Sequence, residues 1–213
     1  MLELTKGGNT EVPTAALTVL AAWQPRAGCP DVDVSALLLD SSGKVGSDDD
    51  FVFFNQPVHP TGAVTHLGTS SGDAGRADAV SVDLTRLPAH VDRVVIAAAT
   101  DGGRFSAVTG LTLRVTSPTG APLMLFPVDA GVETALVAGE LYRRGTGWKF
   151  RAVGQGYADG LAGLARDFGI TVDTEPAPSP APVVDWEGRP SAPAQSDARI
   201  DWLNPPVPAG YEI

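Results

Sequence analysis

Residues 30–56, PDVDVSALLLDSSGKVGSDDDFVFFNQ, hold two apolar runs that are too short for an ordinary helix and are closed off by aspartate. Residues 34–39 (VSALLL) read as a strand, and Asp40-Ser41-Ser42-Gly43 supplies turn chemistry behind it. Phe51-Val52-Phe53-Phe54, bounded by aspartates and by Asn55-Gln56-Pro57, has the pattern of a strand buried on both faces. Six aspartates bracket these runs against one basic residue, Lys44. Carboxylates so crowded repel one another unless positive charge sits among them, and a hard cation is one answer.

Similar punctuation continues along the chain. Residues 12–23, 63–67, 79–84, 93–99, 110–116 and 122–128 are further strand candidates, separated by turn signals such as Asp101-Gly102-Gly103 and Ser117-Pro118-Thr119-Gly120. No alternation of strand and helix appears, so the fold class is mainly β, a sandwich or barrel. Residues 134–143 and 148–153 form a hairpin across Arg144-Gly145-Thr146-Gly147, with Trp148, Phe150 and Ala152 on one face and Lys149 and Arg151 on the other. Residues 157–168 are the one helix expected, with Leu161, Leu164, Ala165 and Phe168 on its apolar stripe and Gly169 at its stop. Gly160 and Gly163 weaken it, so it should lean on a sheet.

Beyond residue 172 the composition changes. Nine of the 18 prolines fall in the last 40 residues, which marks 173–213 as an irregular tail and leaves 1–172 as the folded domain. The tail repeats one small pattern, Val184-Asp185-Trp186 and Ile200-Asp201-Trp202. Trp186 and Trp202 are candidates for partner binding, or for an arm laid on the domain.

A net charge of −10, from 25 acidic and 15 basic residues, opposes binding to nucleic acid or to anionic lipid. A single cysteine, Cys29, excludes an internal disulfide framework, and the first residues carry no signal-peptide pattern, so the expected compartment is the cytoplasm. No apolar run approaches the length of about 20 residues that spans a bilayer.

Asp31 and Asp33 alternate on an extended segment and project to one side, while Asp48, Asp49 and Asp50 precede the FVFF run. Asp73 and Asp78 form a second acidic group in the loop THLGTSSGDAGRAD. The first group begins like an EF-hand, but Ala36 and Ser42 stand where the turn glycine and the bidentate glutamate belong. Spacing alone does not separate a calcium site from aspartates that cap turns. Gly68-Thr69-Ser70-Ser71-Gly72 matches a nucleophile-elbow pattern without the helix that must follow it. Gly154-Gln155-Gly156 with Gly160 lacks the lysine and crossover of a phosphate loop. His59, His66 and His90 are scattered without zinc-ligand spacing and read as ordinary histidines.

Several segments, taken in order, resemble one family. LTKGGN near the start, DVDVSALLLDSSGKVGSDDDFVFFNQ, the HLG of 66–68 and GELYRRGTGWKFRAVGQGYADGL are similar to the TerD family of tellurium-resistance and stress-response proteins. The resemblance covers 1–172 and implies a two-sheet β-sandwich, calcium held in aspartate-rich loops at one end, no catalysis, and assemblies with other Ter-type proteins at membranes. Carried over by position, Asp31, Asp33, Asp50, Asp73 and Asp78 are the expected metal ligands. The chain departs from the pattern where the long acidic loop after HLG is shortened and carries Arg76 and Ala77, and where Pro127 and Gly110 replace a usual aspartate and asparagine. Fewer carboxylates and an added cation imply weaker binding, and one secure ion rather than two.

Overall fold

The computed structural model describes residues 1–72 and 75–170. In chain order its elements are β1 (Leu2–Glu3), β2 (Asn9–Glu11), β3 (Ala16–Gln24), β4 (Asp31–Leu39), β5 (Phe51–Val52), β6 (Val64–Gly72), β7 (Gly75–Asp83), β8 (Arg93–Asp101), β9 (Thr109–Thr116), β10 (Pro122–Pro127), β11 (Ala135–Arg144), β12 (Gly147–Tyr157) and α1 (Gly160–Phe168). The strands form two six-stranded sheets, ordered β1-β10-β9-β3-β7-β6 and β2-β12-β11-β8-β4-β5. All pairings are antiparallel except β1 with β10. The expected mainly-β, two-sheet sandwich with one short helix is therefore what the described residues form.

Alternation explains the layers. Val19, Ala21 and Trp23 of β3, Val32, Val34 and Ala36 of β4, and Val80 and Val82 of β7 point between the sheets and build the main core. Leu37, Leu39, Val95, Ala97 and Val137 face the other way, where Leu164 of α1 covers them. That second layer is why ALLL at 36–39 shows no alternation, since all four residues are buried.

The hairpin between β11 and β12 closes as expected, with Arg144 opposite Gly147. Gly145 takes φ +60° at the first loop position, as a two-residue II′ turn requires. Phe150 and Ala152 enter the core and Trp148 packs against it.

Four local expectations are corrected. The FVFF run is not a doubly buried strand: Phe53 and Gln56 exchange backbone hydrogen bonds of 3.1 and 3.0 Å, turning the chain, and Phe54 is 60% exposed. The Gly/Ser segment around residue 70 is not a loop, because β6 and β7 stay paired out to Gly72 and Gly75. Tyr157 ends β12 rather than starting the helix, and Leu161 is exposed. Gly160 and Gly163 are instead on the buried side with Leu164 and Ala165, and a Cβ on Gly160 would lie 2.4 Å from the Thr134 hydroxyl. The glycines that weaken the helix are thus what lets it approach the sheet. Finally, β1 and β2, two- and three-residue edge strands, carry no signal in the local pattern.

Candidate functional site

The first half of β4 is paired on one side only. Its partner β8 runs along all of it, placing Asp31 opposite Asp101 and Asp33 opposite Ala99, whereas β5 pairs only with Ala36 and Leu37. The open edge is closed by the other sheet. On β7 the residues in phase with the core positions Val80 and Val82 are Asp78 and Arg76, so both project inward from sheet to sheet. Asp78 is fully buried, and its Oδ2 accepts the Val34 amide at 2.7 Å and lies 3.0 Å from His66 Nε2. Arg76 forms an ion pair with Asp31 and sits 5.6 Å from the Trp23 ring centroid, a cation–π contact. Its Nε is buried with no hydrogen-bond partner among the described residues.

Asp33 lies among these groups. Its carboxyl is held above the usual aspartate range, first by burial and then by the negative charges of Asp78, Asp101 and Asp31, with His66 acting the other way. Among the described residues, no hydrogen bond enters that balance. The structure therefore brings together Asp31, Asp33 and Asp78 of the expected ligands and adds Asp101 and His66, which local spacing could not have supplied. Their charges can be met by protein groups, and in oxygen type they suit a hard cation. Among the described residues, however, no group of three or more His, Cys, Asp or Glu side chains stands in metal-holding geometry.

Asp50 is elsewhere. It ends a 3-10 turn, Asp48–Asp50, next to β5, and β5 meets β4 at Leu37. Four residues of strand separate Leu37 from Asp33, about 13 Å. Both Asp50 oxygens are occupied: Oδ2 accepts the Gly46 and Ser47 amides at 3.0 and 3.1 Å, and Oδ1 lies 3.2 Å from His59 Nε2. At its other ring nitrogen, His59 Nδ1 accepts the Thr61 amide at 3.2 Å and lies 2.8 Å from the Thr61 hydroxyl, which holds the ring in place beside Asp50. His59, read from the sequence as an ordinary histidine, is buried. Asp40 likewise serves a turn, accepting the Ser42 amide and hydroxyl at 2.8 and 2.6 Å, bonds that lower its pKa. The Lys44 amide donates to Asp40 Oδ1 at 3.4 Å, but its ammonium turns away from the aspartates and donates to the Asp167 carbonyl at the end of α1. Asp73, Trp186 and Trp202 lie outside the described residues.

Comparison with known proteins turns on the same stretch of chain. Residues 1–168 match the TerD domain. The chain belongs to the TerD family. It is 37% identical over 188 residues to tellurium resistance protein TerD of Serratia marcescens, covering 79% of this chain and 97% of that one. It is 38% identical over 152 residues to general stress protein 16U of Bacillus subtilis (strain 168), covering 67% of this chain and 79% of the relative. The TerD-type fold is also seen in the crystal structure of SAV2460, a protein of unknown function. That structure superposes with a TM-score of 0.59 at 24% identity, over 74% of this chain and 98% of the other. This TerD-family chain is thus of the tellurium-resistance and stress-response type. Among the described residues, no helix is long and apolar enough to cross a membrane.

Proposed function

We propose that this chain is a non-catalytic, calcium-binding TerD protein of the cytoplasm, acting with other Ter-type proteins in a stress-response assembly. The observation that carries the metal part is Asp33, a half-buried carboxyl crowded by Asp78, Asp101 and Asp31. Asp33 and Asp101, with Asp31 when Arg76 releases it, are the residues that would hold the ion, while Asp78 keeps the β4 edge in place. Calcium would supply positive charge between the strands and favour one arrangement of this end of the sandwich for contact with a partner.

Calorimetric titration of the full chain with calcium tests this. Binding heat and a raised melting temperature, both lost in Asp33→Asn, are the expected result. A flat titration at millimolar calcium would reject it.

A second reading is a metal-free interaction module. It is favoured by the pairing of Asp31 with Arg76, which offsets part of the charge from within, and by Asp78 being already engaged by the Val34 amide and His66. Partner capture then falls to the sequence-level candidates Trp186 and Trp202, and replacing both with alanine would abolish pull-down in the presence or absence of calcium.

A further inference from the structure

The segment GELYRRGTGWKFRAVGQGY plays no part in the acidic cluster, yet it builds a second charged locus on the outer face of the β2-β12-β11-β8-β4-β5 sheet. Glu140 of β11 stands opposite Val95 of β8 on one side and Arg151 of β12 on the other. Its side chain is 5% exposed and is flanked by two guanidiniums: Arg93 Nη1 lies 3.3 Å from Oε2, and Arg151 forms an ion pair at Oε1. The second contact is charge against charge, since among the described residues Oε1 has no aligned hydrogen-bond donor. Arg151 also sits 5.7 Å from the ring centroid of Tyr142.

Each arginine side chain is 44% exposed, and a guanidinium carries five donors of which these ion pairs use a fraction. Glu140 therefore acts as a buried anchor for two partly exposed cationic forks. They open onto a groove of about 410 Å³ beside α1, within the usual range for small-ligand sites. Lys6 lines the same groove, its segment held to β12 by hydrogen bonds of 2.8 and 2.9 Å between Gly7, Gly8 and Ala152. Val95, Val137 and Phe168 give an apolar floor. Three cations against one carboxylate make this lining positive in a chain of net charge −10, so charge complementarity selects an anion.

We infer that this groove is a binding site for a small molecule bearing an oxyanion group, carboxylate or phosphoryl, clamped by Arg93, Arg151 and Lys6 over the apolar floor. The site is separate from the acidic cluster and does not depend on calcium.

The test is a titration of the full chain with inorganic phosphate, and separately with acetate, chloride keeping the ionic strength constant. Arginine Nε–H resonances are followed by NMR. Saturable shifts at Arg93 and Arg151 with either probe support the site, and the better probe identifies the oxyanion. Arg93→Gln should weaken binding about tenfold, the scale of one charge-assisted hydrogen bond. Lys6→Gln, at an exposed residue outside the core, should also weaken it and carries the test if Arg93→Gln fails to fold. Shifts that do not saturate with either probe, or binding unchanged in the folded variants, would overturn the proposal.

Discussion

Arg76 on one sheet forms an ion pair with Asp31 on the other while lying 5.6 Å from the Trp23 ring centroid. Asp31 is about half exposed, so the pair is screened by water and worth little in isolation, roughly 0.2–1 kcal/mol. Its position matters more than its strength, because a cation that claims Asp31 competes with any divalent ion for that carboxylate. Arg76→Gln should lower the calcium-free melting temperature slightly and tighten calcium binding, read by calorimetry on both proteins. Equal calcium affinity in the two would show that Arg76 does not compete.

Asp78 and Asp33 are both aspartates near the β4 edge, yet their removal should have opposite effects. Asp78→Ala strands the buried Val34 amide and the His66 ring, and should cost about 3 kcal/mol or more in urea denaturation. Asp33→Asn removes a charge that its neighbours oppose, so it should be neutral or stabilising in calcium-free buffer. Comparable destabilisation by both would contradict the placement of Asp33.

That difference should depend on pH. A carboxyl whose folded pKa lies above its unfolded value binds its proton more tightly when folded, so its ionisation destabilises the fold as pH rises through the folded pKa. The stability gained by Asp33→Asn should therefore be full at neutral pH and should shrink as pH falls through the Asp33 folded pKa toward the ordinary aspartate value. Melting curves of both proteins from neutral to acidic pH would show the two converging.

At the alkaline end, Tyr157 is pushed up to about 12, first by burial and then by its hydrogen bond to Asp167 and by that residue's charge. Between the ordinary tyrosine pKa and that value only the unfolded chain ionises, so stability should fall as pH rises across this window. Tyr157→Phe removes that dependence, so its alkaline melting curve should be flatter than the wild-type one.

Gly139 sits where β11 shifts register against both of its neighbours. A Cβ there would lie 2.6 Å from Phe150 Cζ and 3.1 Å from the Arg151 carbonyl. Gly139→Ala should destabilise the fold by about 1–3 kcal/mol through overpacking. Thermal or urea unfolding, compared with Gly147→Ala in open space at the hairpin tip, would check it.

Local pattern was enough for what depends on local physics. Period-two alternation exposed the strands of the core, Gly145 marked the β11–β12 turn, and Gly169 marked the end of α1 with φ +75°. The aspartate-rich segment was legible as a set of strand ends and turns, and the GELYR…WKFRAVGQGY block carried the family. What the sequence could not reveal were relations between groups distant along the chain. Asp40 is satisfied within the turn that its sequence announced, whereas Asp50 is engaged by turn amides and also by His59, a contact made only when the chain closes on itself. Lys44, the sole basic residue of that segment, caps a helix 123 residues away. Asp101 and His66 reach Asp33 because β8 pairs with β4 and β7 brings Asp78 to its open edge. Sequence by itself determined which segments are extended and where charge accumulates, since both follow from neighbouring side chains. Only tertiary structure decided which carboxylates are already satisfied, because electrostatic balance depends on distance and burial rather than on order in the chain.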